Sequence, residues 1–427
     1  MQAGKSGGIR AFLACVFVAA MIAVAQASGS SFLILAALVV YLIVMLASSD
    51  ETVFPMMLFF LPWSPILKIS PSLFSVYSLA TIEIFLKYLV KHKKIQKKVL
   101  LPAIALGVLT LLSKLLHGYS LSASYFMFFG MLLTFPLLAF LVREKTDFEI
   151  AACFFACGII LATLLSMAYG TNPNMIQYIK VIEYSNLGVT RLCGFYGDPN
   201  FYAAQVATAL GALLLVIFKG SKRKVINIIL SVVLVFCGAT SLSKSFLICL
   251  VVLLVLWIIS MLPKTPAKAF SALLVICVLG GAVVLSGVAD DLWGQYLARF
   301  GGASDISSLT TGRTDFWAEY LKYFWEHPLS FLFGQGYTSV LVATYGSSHN
   351  TILQAIYQFG VVGTVILLVW IIAFENRSSK GKGSVMSIFW LFACFFMWLG
   401  LDILFFDDFF AVLMLCSFGF DYMRKTE

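Results

Sequence analysis

Four short stretches place side chains that handle anions and protons at the edges of apolar segments. They are RLCGFYGDPN (Arg191–Asn200), SLSKSF (Ser241–Phe246), TTGRTDFW (310–317) and SSHNTILQ (347–354). In the first, Asp198 and Pro199 fit a helix start, the aspartate as N-cap and the proline as a first residue with no donor to waste. Arg191 beside that terminus, whose free N–H groups favour anions, makes a phosphate seat; the competing reading is an interfacial arginine that snorkels to water. In the second, Lys244 is flanked by Ser241, Ser243 and Ser245. Burying a lysine there costs a few kcal/mol without a partner or water, so it is either an anion contact or a short snorkel. In the third, Arg313 follows the flexible Gly312. In the fourth, His349 is the side chain suited to moving protons near neutral pH, and at a helix mouth it meets a substrate hydroxyl. Alternatively, Asn350 or Ser348 caps the helix and His349 is polar filler. His92 sits among lysines, His117 in a short turn and His327 before a proline, which makes them weaker candidates.

The elements that position these residues are apolar. Of 427 residues, 61% are hydrophobic and 11% charged, and the mean hydropathy is +0.97. A chain so apolar takes the bilayer as its solvent. Runs of roughly 17 to 25 apolar residues, the length that crosses about 30 Å of hydrocarbon as a helix, recur from end to end. Spans are expected near 11–28, 31–48, 53–67, 73–90, 99–116, 121–142, 148–169, 200–218, 225–240, 243–262, 267–288, 350–374, 384–403 and 407–421. The third is short and broken by Pro55, Pro62 and Pro65, and the last begins beside Asp407 and Asp408, so either could be re-entrant. The expected fold is therefore all-α, a polytopic transmembrane helical bundle of about 12–14 spans, forming one integral membrane domain over 1–427.

Charge supplies an independent check. With the amino terminus inside, most of the 29 Lys and Arg fall on alternate loops, as in Lys91, Lys93 and Lys94 or Lys219, Lys222 and Arg223. Lys68, Lys114, Lys180, Arg191, Lys244, Arg299, Arg313 and Lys322 fall on or near the other side. The net charge of +9 thus describes a basic inner surface facing anionic lipid and calls for no nucleic acid. The run ending Ala25-Gln26-Ala27 mimics a signal-peptidase site, but the Ser-Gly-Ser-Ser turn after it favours an uncleaved helical hairpin. Nine cysteines show no CxxC spacing and read as small packing residues, Cys193 alone lying in an outer loop. Within the bundle, Glu83 and Lys87 read as an i,i+4 pair.

Two polar segments stand out, 170–199 and the long extracytoplasmic loop 289–349. The second carries an amphipathic helix ended by Pro328. Asp315, Glu319, Lys322 and Glu326 lie on one face, and Phe316, Trp317, Tyr320, Leu321 and Phe324 on the other. It either lies in the membrane interface or packs on the bundle as an aromatic lid.

Taken in order, R-x-x-G-x-x-x-D-P-N, S-x-S-K, G-R with H-P-L and G-x-G, then H-N-x-x-L-Q leading into F-G-x-x-G, the chain from Arg191 to Phe374 resembles the O-antigen ligase and polymerase superfamily. The resemblance implies a catalytic region over 170–374. It also implies transfer of a glycan from an undecaprenyl-diphosphate carrier to a glycan or lipid-core acceptor hydroxyl, on the outer side of a bacterial cytoplasmic membrane. Neither cofactor nor metal is implied. Arg191, Lys244 and Arg313 would grip the diphosphate and His349 would position or deprotonate the acceptor, with Asp198, Asn200 and Asn350 in support. The family usually has arginine where this chain has Lys244, and lysine binds phosphate without the bidentate fork. The residues independently suit that chemistry, because fixed cations stabilise a leaving diphosphate. A divalent ion would want a convergent carboxylate cage, and Asp290 with Asp291 or Asp407 with Asp408 are merely adjacent. The competing class is a transporter or flippase of lipid-linked oligosaccharide, whose essential polar residues would sit near the bilayer midplane instead of at the span mouths.

Overall fold

The structure, a computed structural model, describes residues 2–70, 75–92, 97–143, 145–179, 191–263, 265–287, 290–301, 310, 312–338, 347–375 and 385–424. Lys180 and Glu183 of the first polar segment, and 302–309 and 339–346 of the second, lie outside the described residues, as do Lys93 and Lys94. Among the described residues there is no strand. The helices are α1 (Gln2–Ser28), α2 (Ser31–Ala47), α3 (Val53–Phe60), α4 (Val76–His92), α5 (Lys97–Leu116), α6 (Ala123–Val142), α7 (Phe148–Ala168), α8 (Ile176–Ile179) and α9 (Pro199–Lys219). After them come α10 (Lys224–Ala239), α11 (Lys244–Met261), α12 (Pro266–Leu285), α13 (Asp290–Gly301), α14 (Arg313–Glu326), α15 (Pro328–Phe333), α16 (Thr351–Glu375), α17 (Val385–Phe395) and α18 (Asp407–Arg424). A helix stands at every expected span. By length and composition, five cross a membrane unaided: Gly7–Ser28, Phe148–Ala168, Pro199–Lys219, Lys244–Met261 and Thr351–Ala373. Shorter apolar helical stretches, among them Ser31–Ala47, Leu100–Leu116 and Lys224–Ala239, stand at other expected spans.

The core is organised around α9, whose apolar window is 89% buried against 33% for α11. Helices α7, α10, α11, α17 and α18 pack on it. The third expected span is α3 followed by a 3-10 turn, Leu61–Trp63, and nearly all of 53–67 is buried by protein. Backbone broken by prolines is tolerated at membrane depth where protein covers it. Just before α3, Asp50 accepts hydrogen bonds from Lys91 and Lys145; just after the turn, the Ile66 and Lys68 carbonyls accept from Gln26 Nε2 at 2.6 and 2.8 Å. The segment therefore starts at the lysine-rich end of the bundle and finishes at the opposite end, beside the foot of α1, so it crosses rather than turning back. Helix α7 approaches so closely that a Cβ on Gly158 would lie 2.2 Å from the Phe59 carbonyl oxygen.

Polar side chains knit the lysine-rich end. Asp421 pairs with Arg143 and Arg424, and Glu149 accepts from Ser221, Asn227 and the Arg223 amide. Lys87 does not close the expected pair with Glu83: its ammonium donates to the carbonyls of Leu46 and Ser48, which the end of α2 leaves unpaired. All nine cysteines are free thiols, and Cys193 is buried with its Sγ on the Ile179 carbonyl.

The glycine motifs have a joint explanation. Helix α16 breaks at Gly360 (φ 67, ψ 177), and the extended chain after α15 docks in the break. The Gln335 amide donates to the Tyr357 carbonyl at 2.9 Å and the Gly336 amide to that of Gln358 at 2.8 Å. A Cβ on Gly360 would stand 2.3 Å from the Leu332 carbonyl, and one on Gly336 would meet the backbone of α5 at Lys114 at 2.4 Å. The G-x-G and F-G elements thus let three backbones touch, fixing α16, and the His349-Asn350 head above it, against α5 and α15.

Candidate functional site

Arg191 and Asn200 flank the start of α9. Asp198 caps that helix, its Oδ1 accepting from the Asn200 amide at 2.7 Å, as its position before Pro199 leads one to expect. The Arg191 guanidinium is only 3% exposed. Its Nε donates to the Ser241 carbonyl at 2.9 Å and its Nη2 to Asn200 Oδ1 at 3.2 Å. It does not snorkel outward; it ties α9 to the turn before α11. Ser243 Oγ donates to the same Asn200 oxygen at 2.9 Å and caps α11, of which Lys244 is the first residue. Lys244 is half-buried, placed between that cap and Ser245.

Arg313 opens α14 behind Gly312, whose φ of 77 supplies the left-handed turn. Its guanidinium reaches Gly400, where a built Cβ would lie 2.6 Å from Nη1 and 3.9 Å from Ser245 Oγ. The amphipathic reading of α14 holds for Tyr320 and Phe324, which are buried against Tyr357 of α16. Leu321 departs from it at 60% exposed, because the aromatic stripe fills the contact without it. Trp317 Nε1 donates to the Ser348 carbonyl at 3.0 Å, and the Phe316 ring stands 6.2 Å from the His349 ring. Helix α14 thus packs on the bundle, over the head of α16.

His349 is half-buried there with φ 45. Asn350, not Ser348, caps α16, its Oδ1 accepting from the Ile352 and Leu353 amides at 2.9 and 3.2 Å. Asp402 locks the turn, accepting from both serine hydroxyls, Ser347 and Ser348, and from the Asn350 amide at 3.0 Å. Burial lowers the His349 pKa below its usual 6.5, the Arg313 cation lowers it further, and the charges of Asp402 and Asp198 oppose both. Those charges act on His349 together, so residues spread along the chain from Asp198 to Asp402 share one electrostatic neighbourhood.

The structure therefore gathers Asp198, Asn200, Arg191 and the head of α11 in one hydrogen-bonded cluster, and joins Arg313, Gly400 and Ser245 to it on the side facing His349 and Asp402. Sequence reasoning passed over Asp402 and Gly400. The signal was present: an aspartate inside the apolar run LGLDILFF is costly without partners, and so marks a site. The three non-glycine residues with positive φ among the described residues, Leu242, Tyr337 and His349, lie beside this cluster or the cavity next to it. Strain of this kind concentrates where function over-determines the backbone. No group of three His, Cys, Asp or Glu close enough to hold a metal ion occurs among the described residues.

Fold and site together define a multi-pass, all-helical membrane protein with a polar site of cations and one imidazole at one end of its bundle. Residues 228–368, about a third of the chain, match the family profile described as O-antigen ligase. The likeness is thus to membrane enzymes of polysaccharide biosynthesis. The match includes Lys244, Arg313, His349 and Asn350 but not Arg191, Asp198, Asn200 or Asp402. No curated protein matches the chain closely enough to count as a relative.

Proposed function

We propose that the protein transfers or polymerises a glycan carried on undecaprenyl diphosphate onto an acceptor hydroxyl, at the extracytoplasmic face of a bacterial cytoplasmic membrane. What carries the reading is the placement of Arg313 within electrostatic reach of His349, on the edge of a cluster that also holds Arg191 and the head of α11. The acceptor O–H gives its proton to neutral His349 as its oxygen bonds to the anomeric carbon. The bond from that carbon to the diphosphate breaks, and the electron pair leaves on the phosphate oxygen. Arg313 and Lys244 stabilise that charge directly, while buried Arg191 adds its charge from beneath Asn200. Asp198, Asn200, Asn350 and Asp402 hold these groups in place. The catalytic region on this reading is 170–374, extended by Asp402.

The test is transfer from undecaprenyl-diphosphate-linked glycan by protein in nanodiscs. Arg313→Ala should abolish it with membrane insertion intact, and His349→Ala should lose most of it; near-normal turnover in either removes that residue from the mechanism. Deletion in the source cell separates the two reactions: loss of a polymerase leaves single repeats on the surface, and loss of a ligase accumulates long carrier-linked chains.

A further inference from the structure

Beside the cationic cluster lies a cavity of about 400 Å³ that none of the proposed catalytic residues lines. That size falls within the range of small-molecule sites. Its polar side is made by Lys68, Ser64, Ser75, Ser78 and Asp407, with Ser78 Oγ donating to Asp407 Oδ1. Its apolar side is aromatic, including Tyr196, Tyr337, Phe405 and Phe406. These rings are held in place. Tyr337 and Phe405 meet edge to face at 5.1 Å, and Tyr196 is fixed by its hydroxyl, which donates to Asp408 Oδ2 at 2.7 Å. Phe406 lies tilted against Phe201 of α9, their ring centroids 4.2 Å apart.

The cavity shares two walls with the site. Tyr196 stands two residues before Asp198, so their Cα atoms are at most about 7 Å apart. The 402–407 segment runs from Asp402, which holds the His349 turn, to Asp407, and is pinned midway where the Leu404 amide donates to Gln354 Oε1 at 3.1 Å.

Rigid ring faces beside a carboxylate and hydroxyls match one ligand chemistry, that of a pyranose. Its C–H face packs on aromatic rings, and its hydroxyls donate to a carboxylate in charge-assisted hydrogen bonds. Lys68 faces the Asp407 charge across the same wall, so the cavity offers no uncompensated cation to seat a diphosphate. Resting on the function proposed above, we propose that this cavity is a sugar subsite, with Asp407 and the Phe405–Phe406 wall determining which sugar is accepted, while the diphosphate sits on the cations next door.

Saturation-transfer NMR on the protein in nanodiscs tests it, with free hexoses, 6-deoxyhexoses and N-acetylhexosamines as probes. At least one should give a ring-proton signal that falls at least fivefold in Asp407→Asn and in Met127→Trp, which fills the cavity without removing a polar group. Arg313→Ala should keep the signal, so this readout stands even if transfer chemistry fails. In the transfer assay the two cavity variants should raise one KM at least tenfold: that of the acceptor if its sugar sits here, that of the carrier-linked donor if the donor sugar does. Absence of any probe signal overturns the proposal. So does an unchanged signal, or two unchanged KM values, in a Met127→Trp protein with wild-type melting behaviour.

Discussion

The tip of Arg313 lies in the space a side chain would occupy at Gly400: a Cβ there would stand 2.6 Å from Nη1. Because the clashing atom is the far end of a flexible side chain, Gly400→Ala should displace the guanidinium and leave the backbone alone. Transfer should fall at least tenfold while the melting temperature stays near wild type. In an Arg313→Ala background, where transfer is already abolished, the same change should leave the melting temperature unaltered, since the interaction it disturbs is already gone. A fall in melting temperature in either background would assign Gly400 to the fold and not to Arg313.

Arg191 is a different kind of cation. It is 3% exposed and bonded to Ser241 and Asn200, so its removal strands the buried Ser241 carbonyl, while Asn200 Oδ1 keeps its bond from Ser243. Arg191→Ala should therefore destabilise the protein by about 1–3 kcal/mol per unsatisfied group, read by denaturant unfolding in mixed micelles. Arg191→Lys should recover only part, because an ammonium cannot reproduce the two-armed geometry. Unfolding equal to wild type in the alanine variant would mean these hydrogen bonds contribute nothing net.

The contrast between these two arginines marks what the sequence made legible. Helix positions followed from runs of apolar residues, and the Asp198 and Asn350 caps from their places before Pro199 and Thr351, because both signals are local. The convergence of Arg191, Lys244, Arg313 and His349 near one another was readable because all were expected at the same ends of their spans. Depth was not readable: whether an arginine faces a cavity or braces a turn depends on Ser241 and Asn200 meeting across 41 residues. Asp402 was hidden for a related reason. Its partners, Ser347, Ser348 and the Asn350 amide, come from a different helix head, and inside an apolar run it looked like part of a span. Likewise, nothing local pairs Gly334–Gly336 with the break at Gly360, a contact made only once α15 folds against α16.

His349 makes a pH prediction with a definite sign. Burial first, then the Arg313 cation, lowers its pKa below 6.5, with Asp402 and Asp198 pulling the other way. A base must be neutral to act, so the acidic limb of kcat/KM should inflect below pH 6.5. Asp198→Asn keeps a good helix cap and removes one opposing charge, and should move the limb further towards acid. Arg313→Gln removes a lowering charge and should move the imidazole titration, followed by nitrogen NMR, towards alkali. The same linkage acts on stability. With the folded pKa below the unfolded one, this contribution is complete above pH 6.5 and is lost as pH falls through the lowered value. A limb above 6.5, or one indifferent to Asp198→Asn, would take His349 out of the role of base.

The backbone of His349 carries a separate consequence. At φ 45 it occupies the left-handed region, which costs a residue with a Cβ about 1–2 kcal/mol. Asp402 holds it there through Ser347, Ser348 and the Asn350 amide. Alanine at 349 would keep that strain and lose the imidazole's packing against Phe316. Glycine would relieve the strain, at an unfolded-state cost of about 0.5–1 kcal/mol. His349→Gly should therefore melt at or above His349→Ala, with His349→Asn between them, since asparagine tolerates the left-handed region better than alanine. Transfer should be lost in all three, because none supplies a group that titrates near neutrality. A glycine variant that melts well below alanine would show that the strain is absorbed elsewhere. One that kept more than a tenth of wild-type transfer would show that the turn's geometry, and not its imidazole, is what the reaction needs.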